Sequence, residues 1–227
     1  MGPGCEQRQP LTRAPGLGTG GDMTSLGRTN FRAAPRAFGD TGNNLDSHVK
    51  AIASMVAKSL RDPETIKLAR KLITARYDFM RDPSTGQQIP VVEAWGQFYR
   101  APAGRPCKAR DAECEITRVW DFAVLNLRYT FDPAETDTFS TVKESLESGG
   151  GDCDDSTILI ASLLKAVGFT VVARVISTTG KHWEHIYPIV GVPHENPKKW
   201  VSLDCTVENF KPGDEFKPYK SHRDFAL

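Results

Sequence analysis

The sequence has no apolar run long enough to cross a bilayer, and its N-terminus lacks the continuous apolar stretch of a secretory signal peptide. Neither sign of charge is in excess. With 29 Lys and Arg against 28 Asp and Glu, the net charge of +1 gives no electrostatic reason to expect nucleic acid or an anionic membrane as partner. Cysteine is scarce: five residues, odd in number and irregularly spaced, make no disulfide framework. Cys107 and Cys114 could pair or stay free, with free thiols the favoured reading, and the expected location is a reducing one, cytoplasmic or virion-associated. No segment repeats at a fixed period, which argues against a solenoid.

What is present suffices for one sizeable core, since 39% of the 227 residues are hydrophobic. Residues 1–45 are rich in Gly, Pro, Arg and Thr and poor in large aliphatics, so they read as a flexible tail ahead of a domain spanning 46–227. Met23 within that tail is an alternative start, and the opening Met-Gly lacks the hydroxyl that myristoylation wants at position six, where Glu6 stands.

Val49, Ile52, Met55, Val56 and Leu60 recur at helical spacing and predict an amphipathic helix. Asp62-Pro63 caps and restarts a second, whose apolar face runs through Ile66, Leu68, Leu72, Ile73, Phe79 and Met80 to a turn at Asp82–Gly86. Both helices read as scaffold rather than site. Val91-Val92 suggests a short strand, and Trp95, Phe98 and Tyr99 are expected to pack. Ile116, Val119, Trp120, Ala123, Val124 and Leu127 predict a further helix, which ends before Asp132-Pro133. After Gly168 the pattern turns β-branched, and strands are expected at 170–176, 186–192 and 200–203. Helices followed by strands indicate an α+β domain with an antiparallel sheet.

The chemistry gathers around Gly149-Gly150-Gly151-Asp152-Cys153-Asp154-Asp155-Ser156-Thr157, which leads into the apolar run 158–167. This reads as a loop entering a buried helix, with acidic and hydroxyl side chains to cap it and Cys153 in its first turn. The helix N-terminus favours thiolate, but Asp152, Asp154 and Asp155 oppose it, so a partner must hold the charge. A packing cysteine would sit inside the apolar run, whereas Cys153 stands at its polar mouth. A thiol nucleophile needs a base and a group to orient that base. A hairpin that pairs Val192 with Pro197 sets His185 opposite Asp204, within imidazole–carboxylate range on one sheet face. His182 is the rival histidine. A metal centre built from His182, His185, His194, Cys205 or the aspartates is the weaker alternative, because no Cys-x-x-Cys pair accompanies them.

Gly-Asp-Cys-Asp-Asp with its apolar helix, then His185-Ile186-Tyr187, then Trp200-Val201-Ser202-Leu203-Asp204-Cys205-Thr206 resembles the core of the transglutaminase-like superfamily, including small bacterial and bacteriophage members. The resemblance covers about residues 115–207. It implies a papain-like α+β architecture with Cys153 as nucleophile, His185 as base and then acid, and Asp204 as its orienter. Ile186-Tyr187 and Cys205 depart from the family's commoner residues without touching the triad. The implied reaction is acyl transfer through a thioester on a protein or peptide substrate, resolved by water or by an amine. No cofactor is implied, and nothing resembles a calcium loop with alternating oxygen ligands. A phage or bacterial protein partner, and a catalytically silent structural protein on the same fold, stand as the other expectations.

Overall fold

Leu45, Val49, Ile52 and Val56 recur every three or four residues and are all buried on one stripe of α1 (Gly42–Arg61). The computed structural model describes residues 42–132 and 137–227, with side chains from Leu45 onward, so the tail expected over 1–45 lies outside the described residues as far as residue 41. Asp62 accepts the Glu64 N–H at 2.9 Å and Pro63 takes the first position of α2 (Pro63–Ile73), as predicted. The same carboxylate accepts the indole N–H of Trp95 at 2.7 Å. One side chain thus caps a helix and ties its corner to the strands that follow.

Helix α2 stops at Ile73, well short of Met80. Thr74 closes it with its N–H on the Arg70 carbonyl, and Ala75 turns away with a φ of 46°. Phe79 and Met80 lie instead on the edge strand β1 (Asp78–Arg81), 67% and 45% exposed. An antiparallel meander continues through β2 (Gln88–Ala94), which contains the expected Val91-Val92, and β3 (Gln97–Arg100). Asp82–Gly86 is a hairpin turn, not a helix end: Asp82 accepts the Ser84 N–H at 2.8 Å and the buried Arg100 guanidinium at 2.7 Å. Trp95 and Gly96 both have positive φ, the mirror-image turn that matches strand twist.

Cys107 and Cys114 form a disulfide with a Cα separation of 5.6 Å, which corrects the reading of free thiols. Two cysteines seven residues apart gave no spacing signal of their own. What brings them together is the segment between β3 and α3 (Ala112–Asn126), where Arg118 gathers the carbonyls of Pro102, Ala103 and Arg105. The reducing compartment read from cysteine usage thereby loses its basis.

The chain next forms β4 (Arg128–Tyr129), α4 (Val142–Ser148) and β5 (Gly150–Gly151), and β4 pairs with β5 in parallel. A capping box between Thr141 and Glu144 starts α4, which is absent from the sequence reading. Helix α5 (Cys153–Ala166) follows, and every residue from Cys153 to Leu164 is buried. Helices α1, α2, α3 and α4 pack around it, and the sheet closes the remaining side. That sheet runs β8-β7-β6-β9, all antiparallel, from β6 (Val171–Ser177), β7 (His185–Val192), β8 (Lys199–Ser202) and β9 (Ser221–Ala226). The polar strand β9 has no apolar alternation to announce it; backbone pairing with β6 and the Arg174–Asp224 ion pair at 2.8 Å hold it. The α+β class with an antiparallel sheet is the observed architecture.

Peptide mapping without reductant should recover Cys107 and Cys114 as one linked species. Replacing both by serine should lower the unfolding free energy in urea by about 2 kcal/mol, the loop-closure entropy of so short a ring.

Candidate active site

The three glycines ahead of Cys153 serve different ends. Gly149 ends α4 in the left-handed conformation, with a φ of 67°. Gly151 is there for space: a Cβ would come within 2.5 Å of the Asp155 Cβ. Asp152 caps α5, its carboxylate accepting the N–H of Asp154 at 2.9 Å and of Asp155 at 3.4 Å. Cys153 is then the first helical residue and only 6% exposed. Its thiol lies 3.9 Å from Asp154 Oδ1. Ile186 directly follows His185 at the start of β7, and its carbonyl accepts the hydroxyl of Thr157 on α5 at 3.5 Å.

His185 opens β7 and Asp204 lies just beyond β8; both are buried, at 2% and 1% exposure. Their contact is His185 Nε2 to Asp204 Oδ2, 2.7 Å. The other oxygen, Oδ1, accepts from the Thr206 N–H at 3.0 Å and its hydroxyl at 2.7 Å. The hairpin register differs from the expected one: Val192 pairs with Lys199, two residues along from Pro197. A shift of two preserves the face, so His185 and Asp204 still meet, diagonally rather than directly opposite. The extra residues are in the loop from Pro193, which is longer than the tight connection assumed.

The electrostatics oppose a free thiolate. Burial, then the charges of Asp154 and Asp152, push the Cys153 thiol well above its usual range, outweighing the opposing effect of the Ile186 N–H. Burial also raises Asp152, to about 8, with Asp154 and Asp155 adding to the rise. Burial alone would raise Asp204, but His185 and the two Thr206 bonds hold it below the usual carboxylate range. His48, on α1, reaches into this cluster: Nε2 lies 2.8 Å from Asp154 Oδ2 and Nδ1 3.6 Å from Asp137. Burial pulls the His48 pKa down, yet the hydrogen bond and charge of Asp154 outweigh it and the net direction is up.

Helix α1 thus contributes to the site although its pattern announced only a scaffold; one histidine beside a buried aspartate is invisible until the helix packs. Tyr129 on β4 is the other residue not singled out for the site, and burial together with the charges of Cys153, Asp152, Asp154 and Asp204 raises its phenol. The remaining candidates are dispersed. His182 is exposed on the loop before β7, and His194 lies 3.2 Å from Glu115 with its ring on Phe169. Cys205 packs against Ser156, its thiol pushed up to about 12 by burial and by Asp204. Among the described residues, the one group of three with ligand-type atoms within 4.8 Å of one another is Asp152, Cys153 and Asp154, and no histidine joins it.

A carboxyl whose folded pKa is raised binds its proton more tightly folded than unfolded, so its contribution to stability is lost as pH rises through the folded value. For Asp152 that window runs from 3.8 to about 8. The unfolding free energy measured in urea should therefore fall between pH 5 and pH 8, and Asp152→Asn should flatten the fall; an unchanged slope would put the proton elsewhere.

Residues 103–205 match the model of the family described as the transglutaminase-like superfamily. No curated protein matches the chain. Among solved structures, calcium-bound LapG of Legionella pneumophila is 17% identical, over 74% of this chain and 65% of that one, with a TM-score of 0.26. EGTA-treated LapG is 16% identical over 76% and 73%, again with a TM-score of 0.26. This chain thus spans just under two thirds of the calcium-bound LapG chain. The matched segment contains the capped helix start, β7 and β8, and with them Cys153, His185 and Asp204. Over residues 103–205, a little under half of its length, this chain is thus similar to the transglutaminase-like superfamily.

Proposed function

We propose that the protein is a thiol-dependent acyl hydrolase or transferase acting on a protein or peptide amide, with Cys153 as nucleophile, His185 as general base and then acid, and Asp204 as the group that orients His185. The observation that carries this reading is the buried 2.7 Å contact between His185 Nε2 and Asp204 Oδ2, on a strand whose Ile186 carbonyl accepts from Thr157 in the helix that Cys153 begins. With Nε2 committed to Asp204, Nδ1 is the ring atom that exchanges protons with the thiol.

Because burial and the neighbouring aspartates disfavour a standing thiolate, the proton leaves Cys153 as the sulfur attacks. The sulfur–carbon bond forms, the carbonyl π pair moves to oxygen, and His185 takes the thiol proton while Asp204 stabilises the imidazolium. Collapse breaks the carbon–nitrogen bond, and His185 passes its proton to the leaving amine. The thioester is then resolved by water, giving a peptidase or deamidase, or by an amine, giving a cross-link. Hydrolysis is the reading preferred here, and a protein or peptide is the proposed substrate.

A second reading has its own support: Cys153 is 6% exposed and its thiol is held protonated, as in a silent scaffold that retains the fold. Iodoacetamide labelling of native protein from pH 6 to 9, mapped by mass spectrometry, separates the two. The enzyme reading expects Cys153 to label faster than Cys205 and His185→Ala to slow it about 100-fold, the low end of general-base effects. Cys153→Ala should abolish hydrolysis and leave the urea unfolding curve in place. If Cys153 labels no faster than Cys205, the scaffold reading replaces the enzyme.

A further inference from the structure

An oxyanion formed on the carbonyl attacked by Cys153 develops among carboxylates, with Asp154 beside the sulfur and the charge of Asp204 reaching it. Without directed donors that charge is strongly opposed, and each such donor typically contributes about 100-fold or more in rate. The backbone N–H of Cys153 is one candidate: the Asp152 carboxylate takes the N–H groups of Asp154 and Asp155 and leaves the first residue of the helix to other partners. A second donor must come from outside α5.

Strand β4 supplies it. Tyr129 pairs in parallel with Gly151, two residues before the nucleophile, and the Thr130 N–H on the Gly151 carbonyl at 3.0 Å fixes the register. Paired residues of adjacent strands send their side chains to the same face. On the Gly151 face, a Cβ would meet Asp155 in the first turn of α5; on the Gly150 face it would meet Thr130. Tyr129 therefore leaves β4 toward the turn that carries Cys153, while Thr130 covers the opposite side. An edge contact with the Phe131 ring, centroids 5.2 Å apart, orients the phenol. Its electrostatic neighbours are Cys153, Asp152, Asp154 and Asp204, which are the groups surrounding the reacting sulfur, and their charges with burial keep the hydroxyl protonated and able to donate.

We propose that the Tyr129 hydroxyl is a catalytic residue, the side-chain donor of the oxyanion site that faces Cys153. This rests on the acyl-transfer reading above. Tyr129 donates a hydrogen bond and no proton: as the sulfur–carbon bond forms, the carbonyl π pair moves to oxygen and is held by the hydroxyl. When the carbonyl re-forms, the leaving group departs with its own bonding pair.

The test compares two reactions of one sulfur. Acylation by p-nitrophenyl acetate passes through an oxyanion and is read as the burst of p-nitrophenolate. Alkylation by iodoacetamide displaces iodide and forms none. Tyr129→Phe keeps the ring, and both rates are referred to the folded fraction from a urea unfolding curve. The expected result is an acylation rate reduced about 100-fold with the alkylation rate of Cys153 unchanged. Equal losses in both reactions would mean that the hydroxyl acts on the thiol itself, and no loss in either would mean that it does not act at all; each overturns the proposal. A wild-type protein with no burst above Cys153→Ala would sink the acyl-transfer reading first, a result seen without any Tyr129 variant.

Discussion

The N-terminus of a helix buried on every side is the constraint on which the rest of this molecule depends. Helix α5 places twelve consecutive buried residues between four helices and a sheet, so its first turn opens inside the protein, where its free N–H groups must find partners. Asp152 provides them, Gly151 leaves the room that Asp155 occupies, and Asp155 in turn accepts the Ser140 N–H at 2.8 Å. The cap therefore fixes the position of Cys153 through backbone geometry. The sheet meets that first turn through the start of β7, where the Ile186 carbonyl accepts the Thr157 hydroxyl and His185 reaches Asp204.

The cap has an electrostatic cost. Carboxylates that satisfy the helix end also surround the thiol, and with burial they oppose ionisation of Cys153. The dipole of α5 does not overcome them. His48 offsets part of this charge by pairing with Asp154 at 2.8 Å, and Asp204 is hydrogen-bonded to His185 through one oxygen and to Thr206 through the other. The thiol thus stands neutral among buried, hydrogen-bonded carboxylates, an arrangement poorly suited to storing a thiolate.

Much of this was legible in the sequence because it depends on local pattern. The stripe of α1, the Asp62-Pro63 junction and the capped entry to α5 are encoded within a few residues of where they act, and so are the β-branched runs that become β6 and β7. His185 and Asp204 were legible for a subtler reason: face parity survives an error of two in register, so the pair was found despite a wrong loop. Phe79 and Met80 misled because their spacing continues a helical stripe, and only the positive φ at Ala75 and the hairpin at Asp82 remove them from it. The disulfide, β9, His48 and the orientation of Tyr129 depend on contacts between distant segments, which no window of sequence displays.

The reach of His48 has a consequence for where the functional unit ends. The family match begins at residue 103, yet the partner of the buried Asp154 comes from α1, more than fifty residues earlier, together with Leu45, Val49, Ile52 and Val56, which wall one side of α5. A fragment cut at the matched boundary would keep every residue assigned to the chemistry and lose what neutralises and covers the carboxylate beside the sulfur. The recognisable core and the stretch that encloses the buried cysteine are therefore different lengths of chain, and α1 belongs to the second.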